Sequence, residues 1–171
     1  AAACGAALAL TSTPWVLAFG VAGGIGAYFY TAPPLRLVAR HGLGELAIAL
    51  CFGPLMIAGT FAALTGWAPG ADVDGIVRAS LAGIPVGLLC TAILFINEFP
   101  DAASDQKTGK NHLVVTLGKR AARFAFALLL AAAFAALVAM VAVGLLPKLA
   151  LVALLGVPLA VRAIVVCFAH Y

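Results

Sequence analysis

Five apolar runs, at residues 14–30, 45–66, 76–96, 121–144 and 148–169, govern what this 171-residue chain can become. Each has the roughly 17 to 25 residues that a helix needs to cross about 30 Å of hydrocarbon. Residues 1–10 read as the tail of a sixth run. The chain is 65% hydrophobic and only 9% charged, against about a quarter charged in a soluble domain, so bilayer lipid is its expected solvent. Backbone amides in lipid must find partners within the protein, which leaves helices or closed barrels. Barrel strands would alternate apolar and polar positions over about ten residues, and no such alternation is present. The expected fold is all-α: a polytopic transmembrane helix bundle of about five full spans plus a partial N-terminal one, forming one domain over residues 1–171.

Within the spans, Pro54, Pro85 and Pro158 each remove a helical donor and are expected to kink their helices. Gly20 and Gly24 form a GxxxG pair with Gly23 and Gly26 beside them. Without a preceding strand this is not a nucleotide-binding loop, and the expected role is close helix packing through small residues. Cys4, Cys51, Cys90 and Cys167 lie in apolar runs without CxxC spacing, which disfavours zinc or disulfides and suits small buried hydrophobes. His41, His112 and His170 are scattered along the chain, and a shared metal site among them is not expected. The chain opens on Ala1 in an apolar run, without the charged start or cleavage site of a signal peptide, so it reads as a fragment.

The formal charge of +4 matters less than its distribution, because lysine and arginine in short loops set orientation across a membrane. Arg36 and Arg40 lie in the first loop; Lys107, Lys110, Lys119, Arg120 and Arg123 lie in or beside the third. The second loop carries Asp72 and Asp74, and the fourth only Lys148. Loops 31–44 and 97–120 are separated by two spans, so they share a face, expected to be cytoplasmic. No nucleic-acid partner is expected.

Residues 97–110, Asn-Glu-Phe-Pro-Asp-Ala-Ala-Ser-Asp-Gln-Lys-Thr-Gly-Lys, hold half of the six acidic residues. Asn97, Asp101 and Asp105 are spaced i, i+4, i+8, a stripe on one helix face that drifts about 40° per step, with Glu98 pointing elsewhere. Pro100 is expected to kink or restart the helix. Two carboxylates with no adjacent histidine or cysteine suit a hard cation such as Mg²⁺, which takes one or two carboxylates and completes its shell with water and phosphate oxygens. Lys107 and Lys110 offer point charges to the same phosphates. Composition and spacing leave two other readings open: solvated loop charges, or an intramembrane ion path.

The stretch NEFPDAASDQKTGKNHLVVTLGKRAAR resembles the second aspartate-rich motif of the UbiA superfamily of intramembrane prenyltransferases, NxxxDxxxD followed by GK and a leucine/valine-rich LG. Upstream, Tyr30 to Leu37 (YTAPPLRL), then GLGE at 42–45 and FGP at 52–54, resemble that family's Y-x-x-P-P-x-R, GLGE and FGP segments in the same order. The pattern is more similar to the 1,4-dihydroxy-2-naphthoate (menaquinone) branch than to the 4-hydroxybenzoate branch. The resemblance implies Mg²⁺-dependent transfer of a polyprenyl group from its diphosphate to an aromatic acceptor within the bilayer of a bacterial inner membrane. It further implies that Asp101 and Asp105 bind the metal with Asn97 as a further oxygen ligand or a hydrogen-bonding partner, that Lys107 and Lys110 hold phosphate oxygens, and that Arg36 contacts the diphosphate or the acceptor. Tyr30 would stabilise the allylic cation or orient the acceptor, unless it serves as an interfacial anchor. Glu45 would cap the start of its own helix or orient a basic residue. Ionising an allylic diphosphate needs neutralisation of the departing charge and no side-chain nucleophile.

The family's other aspartate-rich motif has no counterpart here, and its bundle is larger. The resemblance therefore implies roughly the C-terminal two-thirds of a longer chain, with the first helices, or the first and the last, outside it. The alternatives are an inactive homologue, a non-catalytic scaffold, or a transporter or channel using the two aspartates as an ion site. A phosphatidyltransferase would need a DG-x-x-A-R run, which is lacking.

Overall fold

The computed structural model describes residues 2–171, and among them every regular element is helical. The order is α1 (Ala2–Thr11), α2 (Val16–Thr31), α3 (Leu43–Leu50), α4 (Met56–Thr65), α5 (Val73–Ala82), α6 (Ile84–Lys107), α7 (Leu113–Leu117), α8 (Lys119–Ala142) and α9 (Val157–His170). Four segments are long and apolar enough to cross a bilayer: Leu43–Thr65, Val73–Lys107, Lys119–Ala142 and Lys148–His170. The remaining expected span is α2, whose 16 residues reach about 24 Å at 1.5 Å per residue. Large side chains such as Ile93, Phe124, Leu128 and Leu159 lie on outer faces, where lipid rather than water would meet them. This is a multi-pass helical membrane protein.

Each span proline sits where the helix changes geometry. Pro54 lies inside a π-helical turn, Cys51–Leu55, that joins α3 to α4 without a break. Pro85 stands in the first turn of α6, just after Gly83 separates it from α5. Pro158 begins α9 after a 3-10 run over Lys148–Gly156. Proline in a first helical turn forfeits a donor that has no intrahelical partner anyway. Pro100 behaves differently: the expected restart does not occur, and α6 runs unbroken past it to Lys107. Its ring is exposed, whereas Phe95, Phe99 and Ala102 on the opposite face are buried against Val114 of α7, Ala122 and Phe126 of α8 and Cys167 of α9. That packing offsets the one missing backbone bond.

The close-packing glycines are not the expected pair. Gly20 and Gly24 have open space where a Cβ would stand, while a Cβ on Gly26 would lie 2.8 Å from Cys51 Sγ. The tightest approach to another backbone joins the second span to the third, where a Cβ on Gly87 would stand 2.2 Å from the Ala49 carbonyl oxygen and one on Gly53 would stand 2.6 Å from that of Gly83. Backbones this near leave no room for any side chain. The cysteine expectation also needs correcting: Cys167 is buried, Cys51 and Cys90 are half-buried, and Cys4 is exposed.

Candidate functional site

Helix α6 carries the acidic stripe to one rim of the bundle and stops there. Thr108 closes the helix and Gly109 follows at φ 74°, the left-handed conformation that turns the chain back on itself. The reversal folds Lys110 over the last turn, where its Nζ donates to Asp105 Oδ1 at 2.8 Å. Asp105 is half-buried; Asn97, Asp101 and Lys107 are exposed. Asp101 lies one turn below Asp105, and Asn97 about 12 Å below it along the axis at 1.5 Å per residue. Asn97 faces a cavity of about 360 Å³ between α3 and α6, walled by Ile48, Phe52 and Ile93.

Loop 31–44 closes over the same rim, so the two basic loops do share a face. Arg36 and His41 both adopt positive φ, 42° and 40°, a conformation that costs a non-glycine residue about 1 kcal/mol or more. Those turns bring them onto the 108–116 segment: an Arg36 guanidinium nitrogen donates to the Thr108 carbonyl at 3.5 Å, the His41 amide donates to that of Asn111 at 2.8 Å, and His41 Nδ1 lies 3.0 Å from Thr116 Oγ1. Tyr30, at the end of α2, packs its ring edge on Gly44, where a Cβ would come within 3.3 Å. It tops an apolar cavity of about 370 Å³ lined by Gly23, Gly26, Cys51, Phe52 and Met56.

Two residues set aside in the sequence prove central to this rim. Glu98, expected to point elsewhere than the stripe, is buried, as are Glu45 and His112. His112 Nδ1 lies 3.3 Å from Glu98 Oε2, and His112 Nε2 lies 3.3 Å from Asp105 Oδ2. Glu45 does not cap its own helix: its Oε1 accepts the amide of Leu113 at 2.6 Å, capping α7 instead. A usable signal was present, since Glu98 and Asp105 are seven residues apart and lie within about 20° of each other around a helix. His112 carried none, because only the reversal at Gly109 brings it between them.

Asp101 and Asp105, one helical turn apart, supply hard oxygen ligands of the kind a magnesium ion that keeps several waters takes, whereas Asn97, a further turn down the helix and facing the other cavity, is too far from Asp105 to share one ion with it. Lys110 and Arg36 stand beside the aspartates as charge-matched contacts for an anion.

A helical membrane protein with carboxylates, ammonium groups and an apolar cavity gathered at one rim has the makings of a site for an amphiphilic anion. The sequence model of the UbiA prenyltransferase family matches residues 1–170, and the chain belongs to that family. It is 33% identical over 129 residues to the 1,4-dihydroxy-2-naphthoate octaprenyltransferase of Mycobacterium tuberculosis, covering 75% of this chain and 41% of the relative. It is 33% identical over 162 residues to that of Mycobacterium leprae, covering 93% and 50%, and 29% identical over 161 residues to that of Bacillus subtilis, covering 94% and 49%. The chain thus spans about half the length, or less, of these curated relatives. No solved structure matches it significantly.

Proposed function

We propose that the complete protein transfers a polyprenyl group from its diphosphate to an aromatic acceptor in quinone biosynthesis, with a 1,4-dihydroxy-2-naphthoate-like ring as the favoured acceptor. The observation that carries this reading is the rim itself: the Asp105–Lys110 pair ends α6 where Arg36 of the 31–44 loop reaches Thr108, and Tyr30 at the end of α2 tops an apolar cavity. The diphosphate would sit at the polar rim and the isoprenoid tail in the cavity. The basic loops 31–44 and 97–120 would be cytoplasmic by the excess of lysine and arginine they carry, and the membrane would be the bacterial inner membrane.

Asp101 and Asp105 would hold Mg²⁺, which when bound would neutralise charge on the departing diphosphate as a Lewis acid. Lys107, Lys110 and Arg36 donate hydrogen bonds to the phosphate oxygens and fix the leaving group in place. The allylic C–O bond breaks, the acceptor ring forms the new C–C bond at that carbon, and the ring loses a proton. Tyr30 places an electron-rich face near the allylic carbon, where developing positive charge is stabilised.

The test is transfer by the complete purified protein in lipid, supplied with radiolabelled polyprenyl diphosphate and either 1,4-dihydroxy-2-naphthoate or 4-hydroxybenzoate. Prenylated naphthoate with stoichiometric diphosphate release is expected; product from 4-hydroxybenzoate alone would overturn the acceptor assignment, and no product from either would overturn the activity. In the same assay Arg36→Ala is expected to raise the KM for the prenyl diphosphate about tenfold while leaving thermal stability nearly unchanged, because its bond to Thr108 is long and exposed.

A further inference from the structure

Glu45, Glu98 and His112 come from three different elements, the first turn of α3, the middle of α6 and the cap of α7. They are nonetheless 4%, 7% and 1% exposed, and one ligand atom from each lies within 4.8 Å of the others. Glu98 Oε2 and both ring nitrogens of His112 are buried, and although each nitrogen lies 3.3 Å from a carboxylate oxygen, none of the three atoms makes a well-aligned hydrogen bond. Leaving such atoms unsatisfied costs about 1–3 kcal/mol each, and two carboxylates crowded in a dry interior repel one another. A dication among them would remove both penalties at once.

We propose that Glu45, Glu98 and His112 form an internal site for a divalent transition-metal cation, separate from the oxygen-only set at Asp101 and Asp105. The donor set decides the ion class: one imidazole nitrogen with two carboxylates suits Zn²⁺, Mn²⁺, Fe²⁺ or Co²⁺, whereas Mg²⁺ and Ca²⁺ prefer oxygen alone. Glu45 is already held in place by the Leu113 amide, so one ligand is preorganised. A metal on His112 Nδ1 fixes the ring in the tautomer with a proton on Nε2, and that N–H faces Asp105 Oδ2 at 3.3 Å. The internal ion thereby tethers α3, α6 and α7 together and orients Asp105, a structural consequence that stands whether or not prenyl transfer is the activity.

The complete protein, stripped with chelator and titrated with Co²⁺, tests this by metal content and visible absorption. In excess Mg²⁺, which fills the oxygen-only rim set, one Co²⁺ per chain with a ligand-field band is expected in wild type and in Asp101→Asn, with affinity at least tenfold weaker in Glu98→Gln. Where His112→Gln fails to fold, pulsed electron paramagnetic resonance of the wild-type protein with Mn²⁺ supplies the second reading, and coupling to an imidazole nitrogen is expected. No stoichiometric Co²⁺, undiminished binding in Glu98→Gln, loss of the band in Asp101→Asn, or no nitrogen coupling would each overturn the proposal. These readouts do not depend on turnover, so a failed transfer assay leaves them interpretable.

Discussion

Replacing Asp101 by alanine in the complete protein is expected to lower prenyl transfer at least about a hundredfold, on the scale of removing one group that stabilises charge developing in a transition state. Membrane expression and thermal stability should stay close to wild type, because Asp101 is exposed and surface changes of this kind move stability by about 0.5 kcal/mol or less. Asp105→Ala is expected to lose as much activity, but less cleanly. Asp105 holds Lys110 at 2.8 Å and faces the buried His112 ring, so its removal frees the lysine and strips charge from a buried partner. A thermal-melt measurement alongside the transfer assay separates the two: Asp101→Ala should show lost turnover alone, Asp105→Ala lost turnover with a lowered midpoint. Unchanged turnover in Asp101→Ala would remove that residue from the site.

The largest effect on folding is expected at Gly87. Its Cβ would stand 2.2 Å from the Ala49 carbonyl oxygen and 3.1 Å from Gly53 Cα. Both are backbone atoms, so no side-chain rotation relieves the overlap, and Gly87→Val should cost about 3 kcal/mol or more. The consequence reaches the rim. One turn along, Thr91 donates to the Gly87 carbonyl at 2.8 Å and lies 3.4 Å from that of Glu45, so forcing α6 from α3 moves the Glu45 carboxylate off Leu113. Size-exclusion profiles after heating should show Gly87→Val aggregating well below wild type; an unchanged profile would contradict the tight contact between these spans.

Much of this architecture was legible in the chain because lipid imposes its own length rule. Runs of span length with polar interruptions gave the helices, and the lysine and arginine bias paired loops 31–44 and 97–120, which do meet through Arg36 and His41. Helix geometry was less legible where tertiary packing overrides local preference. Pro100 reads as a break, yet burial of Phe95, Phe99 and Ala102 carries α6 through it. GxxxG at Gly20 and Gly24 reads as an interface, yet contact formed at Gly53 and Gly87, which are far apart in sequence. At the site, the local spacing of Asn97, Asp101 and Asp105 was visible. The Glu45, Glu98 and His112 cluster was not, because the reversal at Gly109 and a cap from Glu45 on the distant Leu113 amide assemble it, and neither leaves a periodic trace.

A prenyl diphosphate is expected to bind at this rim through a divalent cation held by the aspartates. Equilibrium binding of a radiolabelled prenyl thiodiphosphate to the complete protein in lipid nanodiscs, titrated with Mg²⁺, measures it directly. Saturable binding that appears only with Mg²⁺, falls at least tenfold in Asp101→Asn and is unaffected by Arg78→Ala on the opposite rim is the predicted result. Binding that needs no divalent cation, or survives Asp101→Asn intact, would contradict the account, and ion flux through liposomes without any response to the thiodiphosphate would replace it with a transport role.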